Sequence, residues 1–363
     1  MLKRFLIFII FIFIANQLYS QAPAYSNEFL SIGVGARALA MGNANAASVS
    51  DITAGFWNPA GLVNIPSHIQ VGLMHSEYFA GITKYDYGSI ASKFKVDNTI
   101  GFSFVRLAVD NIPNTTELVD ANGQFNYDKI KSFSAADYAF LFSFSKKTKI
   151  TGLNFGANAK VIHRIAGDFA TAWGFGLDAA LQYQKDNWRF GIMGKDITTT
   201  FNAWRFNLPE QMKETFNKTG NVIPVSSVEI TLPNLLCGVA YQYNIQDKFS
   251  ILSELDLDFT FDGKRNVLFK SKAVSINPHA GIEFGYNNFI FLRGGLTNIQ
   301  DVKGFDGTLQ KVVQPNMGIG IKLKKLTIDY ALSTVGNQGG DGNSNYTHIF
   351  SLKLDIYKQQ KKQ

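Results

Sequence analysis

From His68 onward the chain alternates apolar and polar residues with a period of two, almost to its end. Met317, Ile319, Ile321 and Leu323 form one face of a segment whose other face is Asn316, Gly318, Gly320 and Lys322. Phe350, Leu352, Leu354 and Ile356 oppose Ser351, Lys353 and Asp355. Phe175, Leu177, Ala179, Leu181 and Tyr183 oppose Gly174, Gly176, Asp178, Ala180 and Gln182. Ile251, Leu255, Leu257 and Phe259 oppose Leu252, Glu254, Asp256 and Asp258. Side chains alternate across a strand, so each run predicts a strand with one apolar and one mixed face.

About 14 strands are predicted, most of them long enough to cross a bilayer when tilted. They lie near 68–79, 82–95, 98–107, 135–145, 150–164, 171–184, 187–196, 230–244, 248–259, 277–286, 289–298, 313–323, 325–334 and 345–356. A soluble sandwich also alternates, so the connections decide. After even-numbered strands the turns are minimal, as at Val96-Asp97, Lys185-Asp186 and Asn287-Asn288. After most odd-numbered strands the loops are long, at 108–134, 197–229, 260–276, 299–312 and 335–344. This parity is what outer-membrane barrels show, with the short side periplasmic, and a sandwich has no reason to keep it. The expectation is an all-β, antiparallel transmembrane barrel with both termini in the periplasm. A closed barrel also pairs every backbone N–H and C=O in hydrocarbon, where a free edge is untenable.

The inward set of such a barrel includes Asp178, Glu254, Asp256, Asp258, Arg293 and Asp329. On the lipid face these would be costly; in a lumen they are ordinary, expected to pair with one another and with water. Gly33 to Leu62 has no period of two and is rich in Gly, Ala, Ser and Asn. Lying before the first strand, it is expected to fold into the lumen as a plug. Asn58-Pro59 fixes an extended or turn conformation, Gly61 allows a tight return, and Phe56 and Trp57 anchor the turn against the barrel interior. The organisation expected is therefore 21–66 as periplasmic N-terminus and plug, 67–357 as barrel, and 358–363 as a basic periplasmic tail.

Composition adds to this picture. The chain has 363 residues, enough for about two soluble domains, yet only 17% are charged and 13% aromatic, a mix that suits long strands with aromatic girdles. The formal charge is +7 but is scattered, and no basic face or module motif points to nucleic acid. Met1 to Ser20 reads as a signal peptide: Lys3 and Arg4 precede an apolar run from Phe5 to Ala15 that is too short to span a bilayer as a helix. Cys237 is the single cysteine, so neither an intrachain disulfide nor a lipid-modified first mature residue is expected.

Several features imitate chemistry. Gly33-Val-Gly35-Ala-Arg-Ala38 resembles a dinucleotide fingerprint but follows no strand and opens no βαβ unit. His68 and His75 are seven apart on a strand and so face opposite sides, as do His75 and Ser76, which argues against a metal pair or a nucleophile–base pair. No catalytic residue, metal or cofactor is expected. The long loop 197–229 carries Phe201, Trp204, Phe206 and Phe216, which pack on one another, line a pore mouth or bind a partner.

The stretch "GVGARALAMGNANAA", followed by "DITAGFWNPAGL", resembles the N-terminal hatch of FadL-type outer-membrane transporters. With "VRLAVDNIPNT", "SFSAADYAFLFSF", "KDITTTFNAWRFN", "ELDLDFTFDGKRN" and "LTIDYALS", the mature chain resembles the PorV/PorQ family of Bacteroidota, a FadL-like branch. The resemblance implies a monomeric barrel of 14 strands and adds Gly35, Arg37 and Gly42 to the plug. It implies an accessory role in type IX protein secretion, with a partner or cargo bound at the extracellular side. The alternative is a channel for hydrophobic small molecules, which needs an apolar pocket and a gap or kink in the wall; Gly294-Gly295 is a place for such a kink or for close packing. A structural barrel in outer-membrane lipid is the third reading.

Overall fold

A computed structural model describes residues 26–119, 123–303, 307–334 and 346–358. The signal segment, the loop 335–344 and most of the basic tail lie outside the described residues. The wall begins with β1 (Ile69–Tyr78), β2 (Thr83–Lys95), β3 (Asn98–Asn114), β4 (Lys131–Lys147), β5 (Leu153–Ala166) and β6 (Ala170–Lys185). Each is antiparallel to the one before. β7 (Trp188–Lys195) continues outward as β8 (Thr200–Phe206), and β9 (Ser227–Thr231) leads back into β10 (Asn234–Ile245). Then come β11 (Phe249–Thr260), a two-residue β12 (Phe269–Lys270), β13 (Ser275–Tyr286), β14 (Ile290–Lys303), β15 (Leu309–Lys322), β16 (Leu326–Ser333) and β17 (Thr347–Ile356). β17 pairs with β1 from Ile356↔Ile69 to Ile349↔Ser76, which closes the sheet. Taking β8 with β7 and β9 with β10, and setting aside β12, the ring is a closed antiparallel barrel of 14 strands, as the alternation predicts.

The short turns follow from local chemistry. Gln246 and Asp247 both have positive φ (49° and 56°), as do Asn287 and Asn288 (both 50°), and each pair is closed by an N–H···O=C bond across the turn. This is the two-residue geometry whose twist matches the flanking strands. On the outer face, alternate residues such as Leu73, Ile90, Phe142, Leu181, Ile192, Leu255, Met317 and Leu352 are exposed. They form an apolar belt around the ring, a surface suited to hydrocarbon rather than to water.

On the long-loop side the strands run further than the sequence suggests. β3 reaches Asn114 and β4 starts at Lys131, so much of the expected loop 108–134 is wall. β14 runs to Lys303 and β15 starts at Leu309, which shortens the expected loop 299–312. The expected loop 197–229 contains β8, β9 and a helix, Glu210–Lys218. The cause is the same in each case. A bulge with a positive-φ residue breaks the period of two: Asn111 between Val109 and Ile112, Asn298 between Thr297 and Gln300, and Asp196 and Thr199 between β7 and β8. An added residue bends the strand and shifts which face each side chain takes.

Residues 26–66 lie inside the ring. They form α1 (Ala36–Ala40), α2 (Ala54–Trp57) and a 3-10 turn over Pro59–Asn64. Val34, Leu39, Val49, Ile52, Phe56 and Leu62 are buried in one cluster with Met74, Tyr85, Val105, Leu141, Ile162 and Ile349 of the wall. Backbone meets backbone here. A Cβ on wall residue Gly156 would lie 2.1 Å from the Ala60 nitrogen, and one on Gly191 would lie 2.2 Å from the Ala46 carbonyl oxygen. Small residues on both partners are thus a packing requirement. Gly295 serves the same end against Met41, and Gly294-Gly295 does not kink the wall, since β14 stays paired through it on both sides. The described chain starts at Ser26, which bonds to Glu229 on β9, in the long-loop half of the lumen. Residues before it, on which the expectation of a periplasmic N-terminus depends, lie outside the described residues.

Candidate functional site

The plug is held by three kinds of contact. The first is a chain of alternating charges. Plug residue Arg37 reaches Glu283 of β13 at 2.9 Å, and Glu283 is bridged by Arg293 of β14 at 2.5 Å. Arg293 also reaches Asp329 of β16 at 2.7 Å. Lys353 of β17 lies 3.2 Å from Asp329 and 2.7 Å from Asp51, back in the plug. Each buried charge therefore has an opposite partner, the condition under which buried ions are tolerated. Burial alone would raise the Asp51 carboxyl, but the Lys353 ammonium and the Thr53 hydroxyl hold it well below the usual carboxylate range.

The second contact is a cradle for backbone. Asp256 Oδ2 accepts from the N–H groups of Asn45 and Ala46, both at 2.8 Å. Glu254 Oε1 accepts from Ala47 at 2.7 Å and Ser48 at 3.1 Å. Two carboxylates on one face of β11 thus satisfy four consecutive plug N–H groups that no helix or sheet satisfies. The third contact is the stretch Phe56-Trp57-Asn58-Pro59. Phe56 and Trp57 meet edge to face at 5.2 Å, and Trp57 Nε1 donates to the Val34 carbonyl at 2.8 Å. Asn58 Nδ2 donates to Ala46 O at 2.9 Å and to Leu181 O of the wall at 3.1 Å, tying the plug to itself and to β6. Its Oδ1 accepts from Ala60, and Pro59 opens the 3-10 turn. Gly61 lies within that turn, where a Cβ would sit 2.4 Å from the Val49 carbonyl oxygen. Gly35 and Gly42 take positive φ (88° and 65°) at the two ends of α1.

The six inward polar residues therefore do different things. Arg293 and Asp329 pair with each other, Glu254 and Asp256 grip the plug backbone, and Asp258 lines an open cavity. Asp178 belongs to a cluster at the bulge between β7 and β8. β6 pairs with β7 up to Ala179↔Gly194 and resumes with β8 at Phe175↔Phe201. Asp196, at the bulge, turns inward to Lys160 at 2.5 Å and to Thr200, while Lys160 also reaches Asp178 at 2.9 Å. The wall stays closed there: Ile197 N–H donates to Leu177 O at 2.9 Å, and Leu177 N–H donates to Thr198 Oγ1 at 3.2 Å. Sequence reasoning did not single out Glu283, Asp51, Lys160 or Asp196. Glu283 and Lys160 carried a signal, as charges opposite Phe284 and Val161 in the alternation. Asp51 and Asp196 carried none.

The aromatic residues assigned to a loop are corrected by the structure. Phe201, Trp204 and Phe206 belong to strand β8, and Phe216 to α3 (Glu210–Lys218). Phe201 faces outward and exposed, whereas Trp204 stacks with Phe206 at 6.1 Å and lies under the Arg164 guanidinium at 5.1 Å. Among the described residues no group of three or more His, Cys, Asp or Glu side chains could hold a metal ion.

The described residues enclose several cavities between plug and wall, of which three are roomy. An outer vestibule of about 610 Å³ lies on the long-loop side of the plug, floored by Asn43 and Trp57. An inner pocket of about 100 Å³ lies behind the bulge, between Phe56, Leu141, Met193, Leu232 and Pro233 on one side and Lys160, Asp178 and Asp196 on the other. It shares Leu30, Lys195 and Asp258 with the vestibule, so the two are contiguous. A third cavity, about 260 Å³, opens on the short-turn side between Arg37, Arg189, Gln242 and Lys322. It shares no lining residue with the other two, because the plug stands between them.

No protein-family model matches the sequence, and no curated protein sequence matches it. The barrel is similar in fold to solved structures. The CymD monoaromatic hydrocarbon channel aligns with a TM-score of 0.55 at 12% identity, over 91% of this chain and 99% of that one. The Pseudomonas putida toluene transporter TodX aligns with a TM-score of 0.55 at 14% identity, over 89% and 98%. A Pseudomonas aeruginosa FadL homologue aligns with a TM-score of 0.50 at 11% identity, over 89% and 98%. The chain thus shares the closed-barrel fold of these proteins.

Proposed function

We propose that this protein is an outer-membrane channel for hydrophobic small molecules, entered from the outer vestibule and left through the wall beside the bulge. The observation that carries it is the inner pocket: it is contiguous with the vestibule and backs directly onto the wall between β6 and the β7–β8 bulge. The outer side of the wall there is apolar, with Phe175, Ile192, Ile197 and Phe201 exposed, so a solute leaving at that point enters hydrocarbon. Magnitudes favour this exit over displacement of the plug. Opening the wall at Leu177 breaks two hydrogen bonds, about 1 kcal/mol each in net terms. Withdrawing the plug breaks buried charge pairs at about 3–5 kcal/mol each. Similarity to channels described as carrying monoaromatic hydrocarbons and toluene supports the same substrate class.

An accessory role in type IX secretion, which the sequence resemblance implies, calls for exposed aromatic loops; Trp204 and Phe206 instead are half-buried strand residues on the same face as buried Asn202. The test is uptake of toluene into proteoliposomes. Met193→Trp or Leu141→Trp, which fill the inner pocket, are expected to slow uptake about ten-fold, the order of a 1.4 kcal/mol penalty. Full-speed uptake in both folded variants contradicts the proposed route.

A further inference from the structure

The outer vestibule is not an apolar cavity. Amide and hydroxyl side chains outnumber apolar ones in its lining, among them Asn43, Asn277, Thr297, Gln314 and Asn316. One wall is an ordered relay: Asn298 Nδ2 donates to Gln314 Oε1 at 2.7 Å, and Gln314 Nε2 donates to Ser333 Oγ at 2.8 Å. The floor and opposite wall carry acceptors without donors. Asn43 Oδ1, Asn277 Oδ1 and Asp258 Oδ1 are buried atoms with no hydrogen-bond partner among the described residues. Unmet acceptors of this kind are uncommon and are satisfied by water or by a ligand that brings donors. Charge selects further. Charges of both signs line the vestibule: Glu28 pairs with Arg265, while Lys195, Lys264 and Asp258 have no ion pair among the described residues, so a net charge of either sign meets a like charge there. A neutral group rich in hydroxyls, each both donor and acceptor, suits amides on one side and unmet oxygens on the other.

We infer that the vestibule is a binding site for a neutral polyhydroxylated group, a saccharide or the glycosyl head of an amphiphile whose apolar tail enters the contiguous inner pocket. The tail half of this inference rests on the proposed route for apolar solutes; the head half does not.

The experiment uses the full chain in lipid nanodiscs free of glycoside detergent, with maltose, octyl maltoside below its micellar concentration, octanoate and octylammonium titrated in turn. Octyl maltoside is expected to bind at least about ten-fold more tightly than either charged octyl probe. Asn277→Leu and Gln314→Leu are each expected to weaken it about five- to ten-fold, the loss of one good hydrogen bond. Binding of maltose alone assigns the site to free saccharides, and binding of octyl maltoside without maltose assigns it to an amphiphile head; both support the inference. Equal or tighter binding of octanoate or octylammonium overturns it. So does a failure of both maltosides to bind, or an unchanged affinity in both folded variants. Maltose binding with no toluene uptake removes the channel proposal alone, and toluene uptake with no maltoside binding removes this inference alone.

Discussion

The two sides of the lumen hold the plug by different means. On the side of β11, β13, β14, β16 and β17 the contacts are charges: the Arg37–Glu283–Arg293–Asp329–Lys353–Asp51 chain and the Glu254–Asp256 cradle. On the side of β4 to β7 they are a few amide bonds, such as those of Asn58, and apolar packing, while close approaches through glycine occur on both sides. The second side also carries the bulge between β7 and β8, where β6 changes partner, with the inner pocket behind it. The difference shows which side is built to stay and which can yield. A chain of buried charges that each have an opposite partner, beside two carboxyls that together hold four backbone N–H groups, resists partial opening, whereas apolar contacts and single hydrogen bonds are lost piecemeal at modest cost.

The largest effect is expected from Glu254→Ala combined with Asp256→Ala. Four buried plug N–H groups lose their acceptors, at about 1–3 kcal/mol each. Single-channel conductance for small ions should rise sharply as the plug loosens; unchanged conductance would remove the cradle from the account. Arg293→Met comes next. It takes one of two cationic partners from each of Glu283 and Asp329, leaving Arg37 and Lys353 in place, a loss of at most about 3–5 kcal/mol, read as a lower unfolding temperature of the folded barrel. If stability is unaffected, the charged side is not the tighter one.

A smaller effect separates close packing from empty space on the wall. Gly156→Ala forces a Cβ into the plug backbone at Ala60, an overpacking loss of about 1–3 kcal/mol. Gly294→Ala meets nothing nearer than 4.0 Å and should leave the unfolding temperature where it is. Similar shifts in the two variants would show that the plug does not press on β5. Smallest is Trp57→Phe, which keeps the edge-to-face ring but deletes the bond to Val34, about 1 kcal/mol. A loss several times larger would mean that the indole does more than donate one hydrogen bond.

Much of the barrel was legible because its signal is simple. A period of two repeats along each strand, and turns such as Asn287-Asn288 mark the short side by their chemistry. The outer halves of β3, β8 and β14 were not legible, since Asn111, Asp196 and Asn298 each add residues that invert the alternation beyond them. For the same reason Trp204 and Phe206 read as loop residues. The plug gave composition without geometry: small residues announce close packing, but nothing in "GNANAASVSD" says that Glu254 and Asp256, some two hundred residues away, cap its backbone. Contacts between segments so far apart are set by the closure of the ring and not by any local pattern.

The central claim is that the plug stays in place while apolar solutes pass. It is tested by locking the plug to the wall. Ile52 Cβ in the plug lies 3.7 Å from the position of a Cβ on Gly72 of β1, within the range of about 3.5–4.5 Å that a disulfide requires. Toluene uptake would be measured for Ile52→Cys with Gly72→Cys in a Cys237→Ser background, oxidised and then reduced. The account predicts the same uptake in both states. Uptake that is abolished on oxidation and restored by reductant would show that the solute goes through the plug, and would contradict it.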